Sequence, residues 1–161
     1  MVQVCVADDD QAIREVVAGL LRGEGFAVET FRDGATLLER AHAARAPLIV
    51  LFGVALLGLD GAAFLAALAA NPPLTARHRF LLLTAWGRRP PPEAEALLPL
   101  MHVPVIEHPF DRIALLTAVA AAACGLACAG GGADWAERAQ PSLRGSQRCT
   151  EPRGPAGRTA S

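Results

Sequence analysis

Apolar and polar positions along the chain follow two repeats in turn, one of about 2 residues and one of about 3.6. Val2-Gln3-Val4-Cys5-Val6-Ala7 alternates and is rich in β-branched residues, which predicts a strand. Ile13, Val16, Val17, Leu20 and Leu21 then fall at the spacing of one helix stripe, and Gly23 and Gly25 end it. Phe26 to Thr30 alternates again as a second strand, and Asp33-Gly34 turns into a short helix through Leu37 and Leu38. Leu48 to Phe52 is continuously apolar, the pattern of a strand buried on both faces. The same rhythm continues with a helix from Gly61 to Ala70, directing Phe64, Leu65 and Leu68 inward, and a strand from Phe80 to Thr84. A fifth strand is expected from Val103 to Ile106. A last helix follows from Asp111 to Cys124, with Ile113, Leu115, Leu116 and Val119 available for packing.

Strands alternating with amphipathic helices predict an α/β fold, a doubly wound parallel sheet covered on both faces. Five such units occupy residues 1–124. Between the fourth and fifth strands, Pro90-Pro91-Pro92 enforces an extended lead-in and Pro99 opposes helix, leaving a short helix over Glu93 to Leu98. From residue 125 the character changes to Gly, Pro, Arg, Ser and Thr, with Trp135 and Leu143 as the large apolar exceptions. Residues 125–161 therefore read as a Gly/Pro/Arg-rich flexible tail that lacks the apolar surface to form a core.

Composition narrows the chemistry. The formal net charge is −1, which gives no general attraction to nucleic acid or an anionic membrane. All fifteen basic residues are arginine, so mechanisms needing lysine or tyrosine are excluded. Cys5, Cys124, Cys128 and Cys149 are too few and too clustered for a disulfide framework, and no second pair of ligands accompanies Cys124 and Cys128 to make a metal site. The longest weakly charged stretches, 46–76 and 113–133, are broken by glycine and proline or are mainly alanine, which argues against a membrane span. The start MVQVCVADDD lacks the basic lead and apolar run of a signal peptide, predicting a cytoplasmic protein.

In this topology the loops after strands one, three, four and five meet at one sheet edge. They bring together Asp8, Asp9 and Asp10, then Gly53, then Thr84 and Ala85, then His108-Pro109-Phe110. Adjacent carboxylates at a strand end suit Mg²⁺. Asp10 has a simpler explanation as the cap of the first helix, and Asp60, ahead of Gly61, has the same one for the third. Asp8 and Asp9 repel each other and need something positive nearby.

The segments VCVADDDQAIREVVAGLLRGEGFAVETFRDGATLLE, PLIVLFGVALLGLDG, FLLLTA and HPFDRIALLTAV resemble, in order and spacing, the receiver domain of response regulators in two-component signalling. The resemblance spans residues 1 to about 124. It implies a flavodoxin-like receiver fold with strand order 2-1-3-4-5. It also implies an aspartate nucleophile ending strand three, Mg²⁺ on an acidic pair, a hydroxyl ending strand four, a lysine before Pro-Phe, and an aromatic switch in strand five. Carried over, Asp8 and Asp9 match the acidic pair and Thr84 the hydroxyl. The nucleophile position holds Gly53, the lysine position His108, and the switch position Val105.

The resemblance therefore implies a phosphorelay protein that is not an enzyme, has lost phosphorylation, and works by protein–protein interaction. Mg²⁺ on Asp8 and Asp9 is expected to be weakened or lost for want of a third anionic ligand. The expected partner is a histidine kinase or a downstream signalling protein, with no nucleic acid and no membrane. Trp86, Arg88 and Arg89 have the composition of an interface anchor. A homodimer through the face of the family's fourth helix, fifth strand and fifth helix is a further expectation. Two alternatives stand beside this reading: phosphorylation on a substitute carboxylate (Asp8, Asp9 or Asp60), or a small-ligand sensor using the vestigial pocket.

Overall fold

A computed structural model describes residues 2–85 and 87–130. Trp86 and the expected tail from residue 131 onward lie outside the described residues. The elements are β1 (Gln3–Ala7), α1 (Gln11–Gly23), β2 (Ala27–Phe31), α2 (Gly34–Ala43), β3 (Leu48–Gly53), α3 (Gly61–Ala69), α4 (Pro72–Arg77), β4 (Arg79–Ala85), α5 (Pro92–Leu100), β5 (Val105–His108) and α6 (Arg112–Gly130). The five strands form one parallel sheet in the order β2-β1-β3-β4-β5.

Strand periodicity divides the core in two. Val4, Val6, Ile49, Leu51, Leu81, Leu83 and Ile106 point to one face and pack with Val17 and Leu21 of α1 and Leu115, Val119 and Ala123 of α6. Cys5, Val50, Phe52, Phe80 and Leu82 point to the other, against Leu37 of α2, Phe64, Leu65 and Leu68 of α3, and Leu98 of α5. The central strand β3 is buried along its whole length, as its unbroken apolar run requires.

Because every strand is parallel, every helix after a strand begins at the sheet's carboxyl edge. That geometry explains much of the acidic residue placement there. Asp10 caps α1 through the N–H groups of Ala12 and Ile13 (2.8 and 3.3 Å), Asp33 caps α2 through Thr36 (2.7 Å), and Asp60 caps α3 through Ala63 (2.8 Å). The opposite edge collects the basic last turns: Arg22 in α1, Arg40 and His42 in α2, Arg77 in α4.

Five expectations are corrected. A sixth helix, α4, follows α3, because Pro72 and Pro73 pre-set the first-turn backbone and Leu74 is buried beneath it. The face expected through the fourth helix, fifth strand and fifth helix is therefore α5–β5–α6. Helix α5 extends on both sides of Glu93–Leu98 and includes Pro99; the one bond the proline forfeits would have used the carbonyl of exposed Glu95, which water can satisfy. Strand β5 lies two residues later than expected, since Val103 leaves the strand to pack under α5 and Pro104 has no N–H to donate. Helix α6 passes residue 124 and runs to Gly130; its alanines favour helix, and Leu126 is buried against the sheet. Val16 and Ile113 face outward, 57% and 69% exposed, so the packing stripes of α1 and α6 are narrower than their apolar patterns. Among the described residues, no helix is long and apolar enough to cross a membrane.

Candidate functional site

Parallel register places the ends of four strands side by side. Ala7, Phe52 and Leu82 are neighbours across β1, β3 and β4, so Asp8, Gly53 and Leu83 follow at the next step, with Thr84 and Ala85 facing Glu107 and His108 of β5. The loops beyond enclose a cavity of about 620 Å³. It is lined by Asp8, Asp9, Asp10, Ala12, Ile13, Val54, Ala55, Leu83, Thr84, Ala85, Arg88, His108 and Phe110. Sequence reasoning brought Asp8, Asp9, Thr84 and His108 to this place, and the structure does the same.

Asp8 is the centre of the arrangement. It is buried, while Asp9 and Asp10 are exposed. Its Oδ1 accepts the Asp10 N–H at 2.9 Å, and its Oδ2 lies over Gly53, where a β-carbon would meet it at 2.6 Å. Burial pushes the Asp8 carboxyl from 3.8 up to about 6; Asp9 adds to the rise and the Asp10 N–H opposes it. Gly53 supplies neither nucleophile nor ligand, and the space its side chain would use is taken by Asp8.

Arg14 and Ala55 belong to the site but escaped the sequence reading. The buried Arg14 guanidinium donates to the Asp8 carbonyl oxygen at 2.7 Å. It holds the main chain of the acidic loop rather than pairing with its carboxylates. The signal available was an arginine one helical turn after the Asp10 cap, a position that points back over the turn before it. The Ala55 carbonyl accepts the Asp9 N–H at 3.3 Å and so ties the β1 loop to the β3 loop. That second loop is anchored in turn to the β2–α2 turn, with Leu57 N–H donating to Arg32 O and Gly34 N–H to Leu57 O, both 3.3 Å.

The other expected residues divide. Arg88 lines the cavity, whereas Arg89 points away and meets Glu95 at 3.6 Å on the surface. Thr84 is buried at the cavity wall, and the exposed His108 ring stands 5.4 Å from Phe110 across a tilted edge contact. Val105 begins β5 opposite Leu82, half-exposed and outside the cavity lining. Asp60 is committed to its helix cap and does not line the cavity.

Mg²⁺ needs near-octahedral oxygen ligation anchored by carboxylates. Among the described residues, no three Asp, Glu, His or Cys side chains converge as a metal cluster. Asp8, with one oxygen given to a backbone N–H and its carboxyl raised toward neutrality, is a poor anionic ligand. The donor set does not fit a Mg²⁺ centre.

A family model, the response regulator receiver domain, matches residues 4–120. Solved structures with the same fold include the receiver domain of NtrX from Brucella abortus (28% identity, 74% of this chain and 97% of that one, TM-score 0.60). The signal receiver domain of an HD domain-containing protein from Pseudomonas fluorescens Pf-5 is similar at 20% identity, covering 78% of this chain and 96% of that one, with a TM-score of 0.64. The chemotaxis response regulator CheY4 of Vibrio cholerae is similar at 24% identity, 76% and 98% coverage, and a TM-score of 0.61. No curated protein sequence matches the chain.

Proposed function

The chain belongs to the response regulator receiver domain family of two-component signalling, and on that premise we propose that it signals by binding a protein partner without accepting a phosphoryl group. One observation carries the reading: the strand end where the family's nucleophile is expected holds Gly53, and the buried Asp8 carboxylate closes over it. A carboxylate attacking phosphorus needs an in-line approach and cations around the transferring oxygens. Here the position has no carboxylate, the lysine position holds His108, and the Mg²⁺ donors are two instead of three.

The substitute acceptors are less suited. Asp60 spends its carboxylate on the Ala63 N–H. Asp8 is buried and raised toward neutrality, which weakens a nucleophile that acts as the anion. Mg²⁺ binding is correspondingly weak, on Asp8 and Asp9. Neither catalysis nor nucleic-acid or membrane binding is part of the proposed role, and the proposed place of action is the cytoplasm. The partner is a histidine kinase or a downstream signalling protein, met through Trp86 and the neighbouring arginines or through the α5–β5–α6 face, which a second copy could also use. Leu100, Val105 and Ile113, all exposed apolar residues, support that face.

The test is intact mass after incubation with acetyl phosphate and Mg²⁺, for the native chain and for Gly53→Asp. The native chain is expected to gain nothing. A native adduct that vanishes on changing Asp8, Asp9 or Asp60 would replace this reading with a rewired phosphoacceptor. A shift in melting temperature with small anions or metabolites, absent any adduct, would instead favour a ligand sensor.

A further inference from the structure

Inside the cavity the carboxylates of the β1 loop meet no cation of the chain. Asp8 Oδ2 lies over Gly53 at the end of β3, and the Asp9 side chain interacts with the Asp8 carboxyl directly. Asp9 and Asp10 both act on that carboxyl as like charges, with no arginine or histidine to offset them. The ion pairs among the described residues are Arg40–Glu29, Arg89–Glu95 and Arg112–Glu24, and none involves these acids. Buried Arg14 is engaged by the Asp8 main-chain carbonyl, 2.7 Å away. Arg88 and His108 line the cavity from its β4 and β5 side, outside ion-pair distance of Asp8, Asp9 and Asp10. A second observation comes from β4. Thr84 follows Leu83, the neighbour of Gly53 in register, so it stands on the strand end beside the Asp8 carboxylate. Thr84 is 7% exposed, and its hydroxyl makes no hydrogen bond to any described residue. Among the described residues no enclosed polar side-chain atom lacks a partner, so this hydroxyl opens onto the cavity that Thr84 lines.

We propose that this side of the cavity binds an aliphatic ammonium group presented by another molecule, either a partner's lysine side chain or a free amine. The chain contains no lysine of its own. An ammonium carries three N–H donors and is satisfied by three acceptors. Asp8 Oδ2, the Asp9 carboxylate and the Thr84 hydroxyl supply that number. A guanidinium fits Asp8 less well: its planar fork takes both oxygens of one carboxylate, and Asp8 Oδ1 already accepts the Asp10 N–H at 2.9 Å. A divalent metal needs further oxygen ligands, whereas Ile13, Val54 and Phe110 line the same cavity with apolar groups. Those groups give the methylene stem of an amine a surface to lie against. The inference rests on the reading that neither a phosphoryl group nor Mg²⁺ takes this place.

The test titrates the isotope-labelled full chain, at constant ionic strength and with a chelator, against Nα-acetyl-lysine methylamide and separately against cadaverine. Saturable amide shifts centred on residues 8–10, 53–55 and 84–85 are expected, with a Kd of about 10 mM or tighter. Asp9→Asn, at an exposed position, should weaken binding about fivefold or more, and Thr84→Val about threefold. Glu39→Gln, an exposed charge loss on α2, should leave it unchanged. Tighter binding of the lysine compound assigns the ammonium to a protein partner, and tighter binding of cadaverine assigns it to a free amine; both uphold the proposal. Absence of saturation, equal shifts with neutral Nα,Nε-diacetyl-lysine methylamide, or equal weakening by Glu39→Gln would overturn it. No phosphodonor is present, so a phosphate adduct found by mass would end the non-phosphorylated reading without touching this result. Absent shifts would end this proposal alone.

Discussion

The carboxylate of Asp8 stands on the face of Gly53 from which a side chain would grow: an added β-carbon would meet Asp8 Oδ2 at 2.6 Å and Cγ at 3.1 Å. The glycine and the buried acid are therefore one feature. The clashing atoms end a rotatable side chain, so Gly53→Asp is expected to fold, with Asp8 turned toward Asp9 and the cavity. Three carboxylates would then face one space. Mg²⁺ affinity is expected to rise about tenfold or more over the native chain, read by titration. Equal affinity in both chains would mean that Asp8 does not yield the space.

Two buried groups make stability depend on pH in opposite senses. The Asp8 carboxyl is raised from 3.8 to about 6, so between those values the folded state holds a proton that the unfolded state has released. Stability from this group falls as pH rises through the window, by about 2–3 kcal/mol. His78 behaves in reverse. Its Nδ1 accepts the Leu48 N–H at 3.0 Å, its other ring nitrogen donates to Ala41 O at 2.9 Å, and burial lowers its pKa. Only the neutral ring satisfies both partners, so its contribution is full above about 6.5 and is lost as pH falls below that value. Urea unfolding from pH 4 to 8 with a chelator separates them: Asp8→Asn should remove the falling component, and His78→Gln the rising one. An unchanged profile in Asp8→Asn would show that its carboxyl is not buried.

Three glycines distinguish required from replaceable backbone. A β-carbon on Gly61 would meet Gly53 O at 2.7 Å and Val54 Cα and O at 2.8 Å, and one on Gly34 would run into Leu59 O. Those are main-chain atoms of the cavity loop and cannot step aside. Gly61→Ala and Gly34→Ala should each cost about 2 kcal/mol or more. Gly19, inside α1, has nothing within 4 Å, so Gly19→Ala should gain about 0.5–1 kcal/mol through helix propensity. Thermal unfolding of the three variants checks the ordering, which a gain in Gly61→Ala would reverse.

How much of this was legible beforehand follows from what a linear pattern encodes. The run Leu48 to Phe52 announced a buried strand, and five strand–helix units in order announced a doubly wound parallel sheet, while its strand order came from the resemblance to receiver domains. Asp8, Asp9, Gly53, Thr84 and His108 lie at or just beyond strand ends, and the fold leaves such positions one location, the carboxyl edge of the sheet. Residues whose role depends on contacts across the fold were less visible. Nothing in the local pattern around Arg14, beyond its spacing from the Asp10 cap, points to the contact of its guanidinium with the Asp8 carbonyl oxygen. His78 carries no local signal for joining Ala41 to Leu48, which lie 37 and 30 residues away. The two-residue offset of β5 came from Val103, whose apolar side chain serves the core from outside the strand.

The end of α6 shows how composition can mislead about a boundary and supplies a last prediction. Glycines and small residues after Cys124 suggested that the folded unit stops there, yet the helix continues to Gly130. Leu126 is 7% exposed within the α1–α6 core layer, and Arg79 reaches the Gly125 carbonyl in the same turn. A chain cut after residue 124 would lose both contacts and the helical turn that carries them. Leu126→Ala, which leaves the helix intact, isolates the burial and should cost about 2 kcal/mol in urea unfolding. The truncated chain should lose at least as much. If truncation costs nothing while Leu126→Ala is destabilising, the side chain must be acting through a cavity left in an otherwise rigid helix, and residues 125–130 would be dispensable to the domain.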